Sequence, residues 1–211
     1  CTCGWAQDSK PQRIEKEQAL PEQQKHMSKL HGIHMGDAEF QFTPTGFPRS
    51  FAHIQANHLM NGDALTAFFD KVSERHTRSV RVVQIGDSHV RGHVLPRELR
   101  YRLSEAWGGE AMQDEHMTYR TSGLATETGT PGFVFSAVSK NGVQLSYFQD
   151  EALLQEIASL RPDLLIISVG TNEAHAPSFD AREYLQQLGQ FTAQINSRCP
   201  GVQLLITTPP G

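Results

Sequence analysis

The chain has 211 residues, 38% hydrophobic and 20% charged, enough for one α/β domain plus an extension and too few for two full cores. A formal charge of −4, with ten scattered histidines and no basic block or stripe, argues against a nucleic-acid partner. No apolar run nears the roughly 20 residues of a membrane span, and three cysteines, two of them in the opening tripeptide, imply no disulfide framework.

The opening Cys1-Thr2-Cys3-Gly4-Trp5-Ala6-Gln7, followed by polar Asp8-Ser9-Lys10, looks like the end of a secretory signal peptide and its cleavage zone. A lipid-modified cysteine is a second export reading, and an arbitrary chain boundary is a third. Either export reading implies a periplasmic or extracellular protein. Residues 1–36 therefore read as an export remnant followed by a polar arm of Gln, Glu, Lys and His with few apolar anchors. Residues 37–78 are expected to hold an extended stretch, with Pro44, Gly46 and Pro48 among aromatics, and then a packing helix. That helix is signalled by Asn61-Gly62-Asp63 and by Leu65, Phe68, Phe69 and Val72 at helical spacing.

From residue 79 to 211 strands and helices alternate. A β-branched run predicts a buried strand over residues 80–85, broken at Gly86. A helical pattern follows from Val90, with Leu95, Leu99, Leu103 and Trp107 on one face and a stop at Gly108-Gly109. Residues 110–131 read as a long loop, a length that in compact domains is usually functional or mobile. Residues 133–138 form the second predicted strand, and Leu153, Leu154, Ile157 and Leu160 the next helical face. A fully apolar strand runs over residues 164–169, and Asp180-x-x-Glu183 is a capping box opening a helix with Leu185, Leu188, Phe191 and Ile195. A fourth strand spans residues 202–206. Continuous apolar strands alternating with helices predict a mostly parallel sheet covered on both faces. Right-handed crossovers then gather the carboxyl ends of the strands on one edge.

That edge collects the residues with chemistry. Ser88 falls where a strand hands over to a helix, near backbone N–H groups without intrahelical partners, and a serine there is either a nucleophile or a simple cap. The loops Ser139-Lys140-Asn141-Gly142 and Gly170-Thr171-Asn172-Glu173 should meet it. Taken together and in this order, Gly86-Asp87-Ser88-His89, Ser139-Lys140-Asn141-Gly142 and Gly170-Thr171-Asn172-Glu173 resemble the three motif blocks of the SGNH (GDSL-like) hydrolases. Arg161-Pro162-Asp163-Leu164 running into the third block strengthens the likeness. The resemblance implies a flavodoxin-like, three-layer α/β fold and an esterase or carbohydrate deacetylase activity.

By that resemblance Ser88 is the nucleophile, and its backbone N–H, that of Gly142 and the side-chain amide of Asn172 form an oxyanion hole. Asn141 competes with Gly142 for the second place. Such fixed donors answer the charge that builds on the carbonyl oxygen during ester attack, one donor typically being worth about 3–4 kcal/mol. Asp87 is expected to hold the turn through backbone hydrogen bonds. His89 should point away from the Ser88 hydroxyl while lining the site, Glu173 and Arg91 should organise loops or the rim, and Lys140 should be a solvated charge. His175 is a possible substitute base or sugar contact, or a plain loop histidine. Asp87, His89 and His93 lack a Cys or Glu partner set, so no metal is implied, and acyl transfer through serine needs no organic cofactor.

One departure matters. The family takes its general base from an Asp-x-x-His motif near the C-terminus, after a fifth strand, and no such motif occurs here. A serine without a base is a poor nucleophile, so the sequence is expected to be part of a longer enzyme, its C-terminal portion missing. The function implied is hydrolysis of small acyl esters, O-acetyl groups on carbohydrate or peptidoglycan first. A lipid esterase or thioesterase and a non-catalytic carbohydrate-binding module are the alternatives. A nucleotide binder lacks its Gly-rich loop.

Overall fold

The computed structural model describes residues 38–40, 57–113 and 123–208. The expectations for residues 1–36 and for most of the extended stretch, together with residues 114–122 of the long loop and 209–211, lie outside those described. Two short strands, β1 (Ala38–Phe40) and β2 (Asn57–Leu59), pair antiparallel. A 3₁₀ turn over Gly62–Leu65 then leads into α1 (Thr66–Ser73).

The apolar runs become one parallel sheet of β3 (Ser79–Gly86), β4 (Gly132–Ser139), β5 (Leu164–Ser168) and β6 (Gln203–Ile206), in the order β4-β3-β5-β6. The side-chain period of two divides the strands between two cores. Val80, Val82, Leu164 and Ile166 pack with Leu65, Phe68 and Val72 of the α1 region, and with Leu99, Leu103 and Trp107 of α3 (Val94–Trp107). Val83, Ile85, Leu165 and Ile167 pack on the other face under α4 (Glu151–Ser159) and α6 (Ala181–Arg198), supplied by Leu154, Ile157, Phe191 and Ile195. The result is the three-layer α/β arrangement expected of the sequence. Trp107 makes edge-to-face pairs with both Phe68 and Phe133, with centroids 5.9 and 5.6 Å away.

Three local differences have physical causes. The helix expected from Val90 is two helices: α2 (Ser88–Arg91) ends at Gly92, and His93 takes a left-handed φ of 63° before α3 begins. Leu95 and Leu185, both expected on core faces, are exposed. Leu95 lies in the first turn after that break, and Leu185 in the opening turns of a helix that starts at the carboxyl end of β5. The loop after α3 is tied down at its described ends. Met112 and Glu127 form an antiparallel bridge, and Arg81 holds the Glu127 carboxylate through Nε at 2.7 Å and Nη2 at 2.8 Å. That guanidinium holds the Glu127 carboxyl below its usual range.

The amino end of the sheet is anchored by Asp163. Its Oδ1 accepts from Arg78 Nη2 at 2.7 Å and lies 3.1 Å from Lys71 Nζ, while Oδ2 accepts from the Arg81 backbone N–H at 3.0 Å. One carboxylate thus joins α1, β3 and β5 before the chain turns toward the site.

Candidate active site

Register fixes where the loops leave the sheet. Gly86 is level with Ser139 across one ladder and with Ser168 across the other. Ser88 therefore lies two residues past a common line, Gly142 three and Asn172 four. The order β4-β3-β5-β6 reverses direction between β3 and β5, and α/β sheets bind ligands in the crevice at such a switch point. Ser88 follows one of those strands and Asn172 the other.

The turn at Ser88 is held by crowding and by a cap. A Cβ on Gly86 would overlap the Val90 side chain and stand 2.8 Å from the Ser168 carbonyl oxygen, so only glycine lets β5 and α2 close on the strand end. Asp87 is buried, and its Oδ1 accepts the His89 N–H at 2.9 Å as the N-cap of α2. Arg91 N–H donates to the Asp87 carbonyl at 2.8 Å. These contacts leave Ser88 at the first helical position with its side chain exposed. His89 is exposed beside it, Arg91 half-buried and His93 buried. Among the described residues no histidine is hydrogen-bonded to the Ser88 hydroxyl.

The second loop starts with Lys140 N–H donating to the Gly86 carbonyl at 3.2 Å, which pins it to the Ser88 strand. Lys140 is not simply solvated, since its Nζ sits 4.5 Å above the Tyr147 ring centroid. Asn141 and Gly142 are exposed. Gly142 has a φ of 72°, and a Cβ there would meet nothing within 4 Å, so the glycine is required by the turn's conformation rather than by space.

The third loop folds as α5 (Thr171–Ala174). Asn172 Nδ2 donates to the Val143 carbonyl at 2.8 Å and lies 3.4 Å from Asp87 Oδ2, so this amide bridges the turns that carry Ser88 and Gly142. The structure thus brings Asp87, Val143 and Asn172 together, with the amide turned toward local acceptors. Glu173 is buried, and its Oε1 accepts the Leu145 N–H. His175 is exposed, and its Nδ1 pairs with the Thr171 carbonyl at 2.7 Å, which fits a proton on that nitrogen.

Beneath the loops lies a polar chain that pattern reading overlooks. Ser168 Oγ accepts from Gln84 Nε2 and from Thr207 Oγ1, each at 3.0 Å. It links β3, β5 and the residue after β6. A glutamine inside a run of valines and isoleucines is its sequence signal, because a buried amide needs a partner. Farther along, burial pushes the Tyr184 phenol up in pKa, and the Glu173 charge pushes it the same way.

No family model matches the chain, and no curated protein matches it either. Among solved structures, it is similar to a peptidoglycan O-acetylesterase, with a TM-score of 0.52 and 20% identity over 64% of this chain and 69% of that one. It also matches a proposed acylhydrolase from Bacteroides fragilis NCTC 9343 (TM-score 0.41, 14% identity, 66% of this chain and 54% of that one). A third match is a proposed GDSL-like lipase from Parabacteroides merdae ATCC 43184 (TM-score 0.38, 13% identity, 61% and 59%). The chain spans little more than half the length of these last two. No helix among the described residues is long and apolar enough to cross a membrane. The chain has the α/β fold of the O-acetylesterase, which is the fold that its SGNH-like motif blocks imply.

Proposed function

We propose that the protein hydrolyses small acyl esters, O-acetyl groups on a glycan such as peptidoglycan, through an acyl-enzyme on Ser88. The observation that carries this reading is the exposed Ser88 at the start of α2, beside the β3–β5 switch point, with the Asn172 amide 3.4 Å from the carboxylate of the preceding Asp87. Ser88 Oγ attacks the ester carbonyl carbon and its proton passes to a base. By the SGNH resemblance that base is an Asp-x-x-His histidine, a motif this sequence does not contain. The carbonyl oxygen, now negative, takes hydrogen bonds from the backbone N–H groups of Ser88 and Gly142 and from Asn172 Nδ2. Asn172 gives up its long contact with Asp87 to do so and keeps the shorter one to Val143. The sugar alkoxide leaves with the proton, and water then cleaves the acyl-serine, returning Oγ–H and releasing acetate. Similarity to a peptidoglycan O-acetylesterase supports the substrate class, and a wall polymer as substrate carries an exported enzyme with it.

Turnover of p-nitrophenyl acetate by the wild type and by Ser88→Ala tests the assignment. Nearly all activity should vanish in the variant, and equal rates refute it. A second reading, a carbohydrate-binding module on the same fold, is favoured by the absence of a histidine on the Ser88 hydroxyl among the described residues and by the Asn172 amide already engaged on Val143. A fluorophosphonate adduct on Ser88 excludes it. Failure to label together with retained glycan binding supports it.

A further inference from the structure

The second loop is pinned at backbone groups on both sides of Gly142. Before it, Lys140 N–H donates to the Gly86 carbonyl. After it, the Val143 carbonyl takes the Asn172 amide at 2.8 Å, and the Leu145 N–H donates to Glu173 Oε1 at 2.6 Å. Gln144 is extended, with φ −102° and ψ 171°, so the Val143 carbonyl and the Leu145 N–H leave the chain on the same side. These are the two groups that a single residue of a parallel neighbouring strand engages in a ladder. Two successive side chains of α5, one donating and one accepting, take that residue's place.

Glu173 gains little from this in stability. It is 7% exposed, receives the Leu145 N–H on Oε1, and has no hydrogen-bond partner on Oε2 among the described residues. A carboxylate withdrawn from water for one backbone donor is a poor stabiliser of a fold. Nor is it needed to keep the segment in place, since the Val143 and Leu145 side chains are buried in the core under α4 and α6. Apolar contacts are non-directional, however, and leave the tilt of the peptide planes open. A hydrogen bond fixes that tilt, and the tilt decides where the N–H of Gly142, three residues before Leu145, is aimed.

We propose that Glu173 is a positioning residue for the second loop: by holding the Leu145 N–H beside the Asn172–Val143 bond, it aims the Gly142 N–H at the oxyanion. The oxyanion itself rests on the esterase reading, and Glu173 needs no contact with substrate. Its reach matters, and its charge does not.

Kinetics of the full chain on p-nitrophenyl acetate test this with three variants. Glu173→Ala removes the acceptor, and Glu173→Asp keeps the charge but draws the oxygen back by one methylene. Both should lower kcat by about 10- to 100-fold, the range that a misplacement of roughly 1 Å produces, with KM within about twofold. Glu173→Gln gives up the charge but keeps an oxygen in reach, and should recover kcat to within about threefold of the wild type. A buried charge that serves stability alone predicts the opposite order for Glu173→Asp and Glu173→Gln. Melting curves verify folding, and if Glu173→Ala unfolds, the other two variants decide. Amide exchange followed by NMR should show Leu145 losing protection in Glu173→Asp and keeping it in Glu173→Gln. An active wild type with kcat unchanged in Glu173→Asp, or with Glu173→Gln as impaired as Glu173→Asp, overturns the proposal and leaves the esterase reading intact. A wild type inert toward the ester overturns that reading instead. Leu145 exchange then decides the strap alone: faster in Glu173→Asp it stands, unchanged it falls.

Discussion

Two aspartates are buried at opposite ends of the same sheet and are satisfied in opposite ways. Asp163, 5% exposed at the amino end of β5, meets the Lys71 ammonium and the Arg78 guanidinium as well as a backbone N–H. Asp87, 1% exposed just past the carboxyl end of β3, is met among the described residues by neutral donors, the His89 N–H and the Asn172 amide. Cations at the first end neutralise the carboxylate and clamp three elements together. Neutral donors at the second end fix the turn that carries Ser88. One end of the sheet serves stability, and the other keeps hydrogen-bond donors in position.

Substitutions can break that contrast. The largest effect belongs to Ser88→Ala, which should lower kcat/KM for an acetyl ester by roughly 10³-fold or more with no change in melting temperature. Next, Asn172→Ala should lower kcat by about 10²–10³-fold, the worth of one oxyanion donor, with KM little changed. If Asn172 only braces Val143, steady-state kinetics will show a loss of stability and no such fall in kcat.

At the other end, Asp163→Ala should unfold more easily in urea while the folded fraction keeps its activity. Removing one partner of a fully buried ion pair costs about 3–5 kcal/mol. Here the Arg78 and Lys71 side chains are 39% and 25% exposed and regain water, so about 2 kcal/mol is expected. A loss of kcat without a shift in the urea midpoint contradicts the division of labour.

The smallest effect concerns Glu127, whose carboxyl is depressed by the hydrogen bond and charge of Arg81. Its folded pKa lies below the ordinary 4.5, so its contribution to stability is complete above that pH and is lost as pH falls through the folded value. Glu127→Gln should therefore be less stable near neutrality by at most about 1 kcal/mol, because the pair is partly exposed, and should lose less on acidification. Parallel acid-unfolding curves for the two proteins argue against it.

Strands β3 and β5 were legible because burial on both faces leaves continuous apolar runs, and the α6 start because Asp180 is an N-cap whose Oδ1 accepts two backbone N–H groups. The break at Gly92-His93 was not, since the repeat of Leu95, Leu99 and Leu103 does not mark where its helix begins and the left-handed φ falls on a histidine. Likewise, Asp163 stood out only as part of a motif block. Its role depends on Lys71 and Arg78, 92 and 85 positions earlier, which no local pattern joins to it. Ser88, Gly142 and Asn172 could be gathered on one edge because strand direction dictates that. The aim of the Asn172 amide could not, because it is decided by the Val143 carbonyl, a backbone atom with no signature in the sequence.

The crowding around Gly86 reaches beyond the turn it permits. Val90 and the Ser168 carbonyl both occupy the space where any side chain would sit, so the turn that carries Ser88 is wedged between α2 and the neighbouring strand β5. Thermal breathing of that corner has to drag β3 and β5 with it. The backbone that carries Ser88 is thus tied to the sheet, and the exposed Asn141-Gly142 tip is the less constrained side of this edge.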